Sequence, residues 1–106
     1  MAVVKWSDHA LERIKEQAQY IAEQSGSIET AHKWANDIFD ESESLADFPD
    51  IGHRLPEFPN APYREILVRK NFRLIYRRSK DVCLVVTVRR CSMLLDESVI
   101  DALDDL

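Results

Sequence analysis

The chain has 106 residues, a formal net charge of −5, and 45% apolar and 31% charged residues. That length suits one domain (1–106) with a single core, and the composition is that of a soluble globular protein. No apolar run approaches the ~20 residues of a membrane helix, and the N-terminus MAVVKWSDHA has neither a signal-peptide core nor a small-residue cleavage site. Of the two cysteines, Cys83 lies in an apolar run and reads as a buried thiol, and Cys91 forms no metal-type pair with it. A reducing, cytoplasmic setting is expected.

Val3, Val4 and Trp6, with Lys5 between them, predict a short first strand. Ser7 or Asp8 can cap a following helix by accepting from its free N–H groups. Leu11, Ile14, Ala18 and Ile21 then recur at helical spacing and form one apolar stripe. Gly26 suits the left-handed position that ends a helix, and Ser27 can cap the next one at once. Ala31, Trp34, Ala35, Ile38 and Leu45 give the second helix its stripe, and Asp47 to Pro49 stop it. Trp6 and Trp34 are expected in the core. Two helices of about 17 and 20 residues joined at a glycine predict an antiparallel hairpin.

After Pro49 the period changes from helical to alternating. The stretch DIGHRLPEFPNAP reads as an ordered connector. Tyr63–Val68, Phe72–Arg78 and Val82–Arg89 predict three strands, with turns at Lys70–Asn71 and Ser79–Asp81. On the middle strand Phe72, Leu74 and Tyr76 share one face, and Arg73, Ile75 and Arg77 the other. On the last, Val82, Leu84, Val86 and Val88 are placed together. The fold class is α+β: an N-terminal strand and a helical hairpin packed on a curved antiparallel sheet. The acidic tail 93–106 is either a short helix or frayed, and the Met93–Leu94–Leu95 cluster belongs to the core or to a partner interface.

Charge is segregated. Residues 1–50 have a balance of −7, residues 51–90 of +7 and residues 91–106 of −5, and eight of the nine arginines lie between Arg54 and Arg90. A basic block inside an acidic chain is what an anionic partner would meet. The plain alternative for any one arginine is the solvated face of a half-covered sheet, which suits Arg69, Arg77 and Arg78 at strand ends. Arg73, between Phe72 and Leu74, suits it less well. The expectation is one arginine-bearing side of the sheet.

The motif L-x-x-F-P-x-I-G-x-R-x-P-E-F from Leu45 to Phe58, followed by YREILVRKNFRLIYR and VCLVVTVRR, resembles the RelE/ParE superfamily of bacterial toxins over residues 3–92. The resemblance implies the toxin half of a type II toxin–antitoxin module, held inactive by a cognate antitoxin that wraps it. Operator DNA would be reached only through that antitoxin. RelE-like members cleave mRNA on the ribosome, whereas ParE-like members inhibit DNA gyrase.

RNA cleavage through a 2′-hydroxyl needs a base, an acid and cations for the phosphorane. By resemblance Arg73 matches the phosphate-holding arginine and Glu57, more loosely, a loop base. After Val88, RRCSMLLDESVIDALDDL contains no Tyr, His or Lys to act as the acid, and arginine does not give up its proton. His9 and His32 fall at helix starts, and His53 is a distant candidate. The ParE-like reading is therefore preferred, with Arg73, Arg89 and Arg90 as target contacts and Arg64 and Arg54 as secondary ones. The alternatives are a RelE-like endoribonuclease using Arg73 and Glu57, and a degenerate toxin that only binds its antitoxin. No metal, organic cofactor or membrane association is expected.

Overall fold

The computed structural model describes residues 1–93 and 95–104. β1 (Val3–Trp6) leads into α1 (Asp8–Ser25), α2 (Ile28–Ser42) and the single turn α3 (Ser44–Asp47). There follow β2 (His53–Arg54), β3 (Arg64–Val68), β4 (Phe72–Ser79), β5 (Val82–Arg90) and α4 (Glu97–Asp104). The sheet order is β1-β5-β4-β3-β2. β2 to β5 are antiparallel, as expected, but β1 runs parallel to β5, so the sheet is mixed. A parallel pair needs a long crossover, and everything from α1 to β4 supplies it.

The caps follow the sequence. Ser7 accepts from the Ala10 N–H, Ser27 accepts from the Thr30 N–H, and Gly26 ends α1 at φ 69°. The second helix is shorter than its apolar stripe suggests, because α2 stops at Ser42. There the Ser42 hydroxyl donates to Phe39 O, the Ser44 hydroxyl donates to Glu41 O, and the Glu43 N–H bonds back to Asp40 O. Hydroxyls that compete for helix carbonyls, together with a tighter i→i−3 bond, break the ladder.

The α1–α2 hairpin covers one face of the sheet. Ile14, Trp34 and Ile38 meet Phe72, Leu74, Tyr76, Cys83, Val85 and Val88 there. Trp34 packs edge-on to Phe72 and Trp6 edge-on to Phe39, with centroids 5.1 and 4.7 Å apart. The opposite face carries a second apolar cluster of Leu55, Tyr63, Ile75 and Val86 beneath Leu95, Ile100 and Leu103. Of the acidic tail 93–106, residues 97–104 are a helix folded onto the sheet, whereas Leu94 and residues 105–106 lie outside the described residues.

One predicted face is corrected. Ile75 pairs with Thr87 and Tyr76 with Val85, so Val86 is an extra residue in β5. This bulge shifts the alternation: Leu84 and Val86 face α4, whereas Val88 faces the hairpin with Cys83 and Val85. The β3–β4 connection also starts one residue earlier than predicted, with Arg69 and Lys70 at φ 51° and 65°. Glu41 of α2 holds it, accepting from the Arg69 N–H at 3.1 Å.

The FPDIGHRLPEF segment is pinned to β4. Tyr76 Oη donates to Pro49 O at 2.9 Å and accepts from the Gly52 N–H at 3.0 Å. A Cβ on Gly52 would sit 2.7 Å from the Tyr76 ring and 2.8 Å from Glu65 O, so only glycine fits this approach. Among the described residues no helix is long and apolar enough to cross a membrane.

Candidate functional site

Arg73 is the second residue of β4, opposite Leu67 of β3 and Arg89 of β5. Its side chain is 8% exposed. Nη1 and Nη2 form a fork on the Glu57 carboxylate at 2.7 and 2.8 Å, and Nε donates to Glu65. Glu65 is itself buried on β3. Glu57 also accepts from the Leu95 N–H at 3.2 Å. The fork and these backbone donors favour the charged carboxylate. They outweigh its partial burial and hold the Glu57 pKa near 2. The hydrogen bonds that Arg73 donates to Glu57, and then to Glu65, push its pKa upward against the desolvation that opposes them.

This arrangement bears on the nuclease chemistry. A base must accept a proton near neutral pH. Glu57 does so only near pH 2, and Arg73, which would hold the phosphate, is already forked on Glu57. His53 is exposed, with Nδ1 3.6 Å from Glu65 Oε1.

Arg89 is the opposite case. Its Nε is buried and has no hydrogen-bond partner among the described residues. Desolvation, followed by repulsion from Arg13, lowers its pKa; Asp96 opposes this and Arg73 adds to it. Arg89 borders an open groove of about 540 Å³ between α1 and the end of β5. Arg13, Tyr20, Phe72, Val88 and Arg90 line it too. Arg90 stacks over Tyr20, 4.9 Å from the ring centroid, which keeps its cation at the groove wall. A neighbouring depression of about 520 Å³ shares Phe72 and Arg90 and reaches Trp34 and Cys91. The groove is thus lined by apolar side chains together with arginines, of which Arg13 is paired at 2.8 Å with Glu16, itself a lining residue.

The expected single arginine side does not form. Arg73 and Arg89 are cross-strand partners, and Arg73 shares its face with Ile75 and α4. Arg54 and Arg64 pair with each other at the far edge, in register with Tyr76 on the hairpin face. Arg64 Nη1 donates to Gly52 O at 2.8 Å, and Arg78 pairs with Asp50. Arg89 and Arg90 thus both border the groove at the end of β5, while the sheet register encloses Arg73 and sets Arg54 and Arg64 apart.

Arg13 and Tyr20 were missed as groove residues. Arg13, Gln17 and Tyr20 recur at spacings of four and three on α1, beside the apolar stripe of Ile14, Ala18 and Ile21. That flanking stripe was the available signal. Among the described residues no group of three or more His, Cys, Asp or Glu could hold a metal ion.

A family model described as the ParE toxin of the type II toxin–antitoxin system parDE matches residues 4–95. No curated protein matches the chain. Among solved structures, the chromosomal ParDE TA system from P. aeruginosa superposes with a TM-score of 0.72 at 20% identity, covering 85% of this chain and 96% of that one. At that identity the likeness is one of fold. Helix α4 lies wholly outside the stretch that the family model matches.

Proposed function

Because the chain belongs to the ParE toxin family of type II toxin–antitoxin systems, we propose that it acts by binding and inhibiting DNA gyrase in the cytoplasm and is silenced by a cognate antitoxin. The observation that carries the binding mode is Arg89. Arg89, whose buried Nε has no hydrogen-bond partner among the described residues, stands with Arg90 on a largely apolar groove where Arg13 is already paired with Glu16, and such a pair of cations suits an anionic group from outside the chain. Carboxylates on an apolar segment suit that lining better than a nucleic-acid backbone does, since the molecule as a whole carries −5.

Arg89, Arg90 and Arg13 are the contacts in this reading. Arg73 serves it indirectly, by holding Glu57 and the sheet beside the groove. Arg54 and Arg64 remain secondary contacts at the far edge. The fork between Arg73 and Glu57 weighs against the mRNA-cleaving alternative.

Purified toxin in a gyrase supercoiling assay tests this. Inhibition is expected at micromolar toxin and should weaken by roughly 10- to 100-fold in Arg89→Ala, the range for one charge-assisted hydrogen bond. A folded wild-type protein that leaves supercoiling untouched refutes the gyrase target. Codon-positioned mRNA cuts by the same protein on translating ribosomes would establish the nuclease instead.

A further inference from the structure

We infer that Arg54, Arg64 and Arg78 form a binding site for a phosphoryl group at the far edge of the sheet. Strand register puts them together. Arg54 of β2 stands directly opposite Arg64 of β3, and Arg64 stands opposite Tyr76 of β4. Arg78 lies two residues beyond Tyr76 and so shares its face. The three arginines line one depression of about 230 Å³ with Asp50, Pro62 and Tyr63.

Like charges directly opposite each other on neighbouring strands repel and lower stability. The fold nevertheless sets two guanidiniums opposite and adds a third beside them. Asp50, paired with Arg78, is the one carboxylate lining the depression, so three arginines against one acid leave two positive charges in excess. Each guanidinium carries five N–H donors. Among the described residues Arg54 donates to Ala61 O at 3.5 Å, and Arg64 donates to Gly52 O at 2.8 Å. Arg78 donates to Lys80 O at 3.3 Å and to Asp50. Most of the donors are therefore open, on side chains anchored at one point each or two. A phosphoryl group answers both the charge and the donors, because its several oxygens accept from guanidinium forks. The depression is smaller than the ~300 Å³ at which sites for whole small molecules begin. It takes the phosphoryl group and leaves the rest of the ligand beyond the edge strand β2. The source is a nucleic-acid backbone or a small phosphate, which the experiment separates.

The test needs no gyrase, so it stands or falls apart from the target reading. Thermal melts of the full chain are run in sodium phosphate and in sodium chloride at equal pH and ionic strength. With an affinity on the order of 1 mM, about 10 mM phosphate should raise the wild-type Tm by about 3 °C or more over chloride. Arg54→Gln should weaken phosphate binding roughly tenfold, the loss for one charge-assisted hydrogen bond, and so shrink that gain. Lys15→Gln, the same loss of charge at an exposed position on α1, should keep it. No gain in wild type, or an equal gain in Arg54→Gln, overturns the proposal. If Arg54→Gln does not fold, NMR on wild type decides. The Nε–H signals of Arg54, Arg64 and Arg78 should shift together as inorganic phosphate is added. Shifts no larger than that of Arg69, whose guanidinium is paired with Asp37, also overturn the site. A short DNA duplex that moves the same three signals assigns the site to a nucleic-acid backbone; phosphate alone moving them assigns it to a small phosphate.

Discussion

Arg73 and Arg89 face each other across two strands and have opposite characters. Removing Arg73 strands two carboxylates, one of them on the buried Glu65. Arg73→Ala should therefore cost about 3–5 kcal/mol, as loss of one member of a buried ion cluster does. Among the described residues, the buried Nε of Arg89 has no hydrogen bond to lose. Arg89→Ala should change stability by less than about 1 kcal/mol while weakening binding. Chemical denaturation of both variants checks the contrast; equal losses would erase the distinction between a structural and a binding arginine.

The same cluster sets a pH dependence. The Glu57 pKa lies at about 2, below its ordinary 4.5, chiefly through the Arg73 fork. Its contribution is fully present above pH 4.5 and is lost as pH falls towards 2. Wild type should thus lose stability across that window, and Glu57→Gln should flatten the loss. The substitution should also lower stability at pH 7 by about 2 kcal/mol, because it leaves the Arg73 fork half made. Denaturant midpoints measured from pH 2 to 7 check both effects.

At the scale of elements, irregularities of the sheet decide what the strands present. The bulge at Val86 lets one short apolar run feed both cores, with Val85 on one face and Val86 on the other. The β3–β4 turn carries two non-glycine residues at positive φ. A left-handed L-residue costs roughly 1–2 kcal/mol, part of which glycine recovers before its larger unfolded-state entropy is counted. Arg69 is tied to Glu41 and Asp37, whereas Lys70 is exposed. Lys70→Gly should therefore stabilise by about 0.5–1 kcal/mol, raising Tm by a few degrees. A lower Tm by calorimetry would show that the turn is not strained. Helix α4 shows the converse economy. Three buried side chains are a small return for ordering a ten-residue segment, so its hold on the sheet is weak.

Across the whole molecule, the charge blocks are sorted by the fold. The acidic helices carry much of the negative charge, and the basic block divides between an internal cluster, a groove and a far edge. Attraction of an anionic partner to so local a patch is screened by salt. Raising salt from about 50 to 500 mM should slow association roughly tenfold while changing folding stability little. Stopped-flow binding and thermal melts, run in parallel, check this; salt-independent association would argue that the arginines do not steer the encounter.

The caps at Ser7 and Ser27, the left-handed Gly26, the helical stripes and the alternating strands were all legible along the chain, because each depends on residues within one or two turns of one another. So was the family motif from Leu45 to Phe58, whose Gly52 proves to be where the loop meets Tyr76. What the linear order leaves open is phase and partnership. An apolar run buried on both sides does not reveal where a bulge shifts its register, as at Val86. Nor does an arginine reveal whether its carboxylate lies in its own chain. Glu57 is sixteen residues from Arg73 and Leu95 thirty-eight from Glu57. Only the closing of the sheet brings them together, enclosing one guanidinium between two carboxylates while the Nε of its cross-strand neighbour has no partner among the described residues, because short-range Coulomb forces and hydrogen bonds act on distances that folding alone creates.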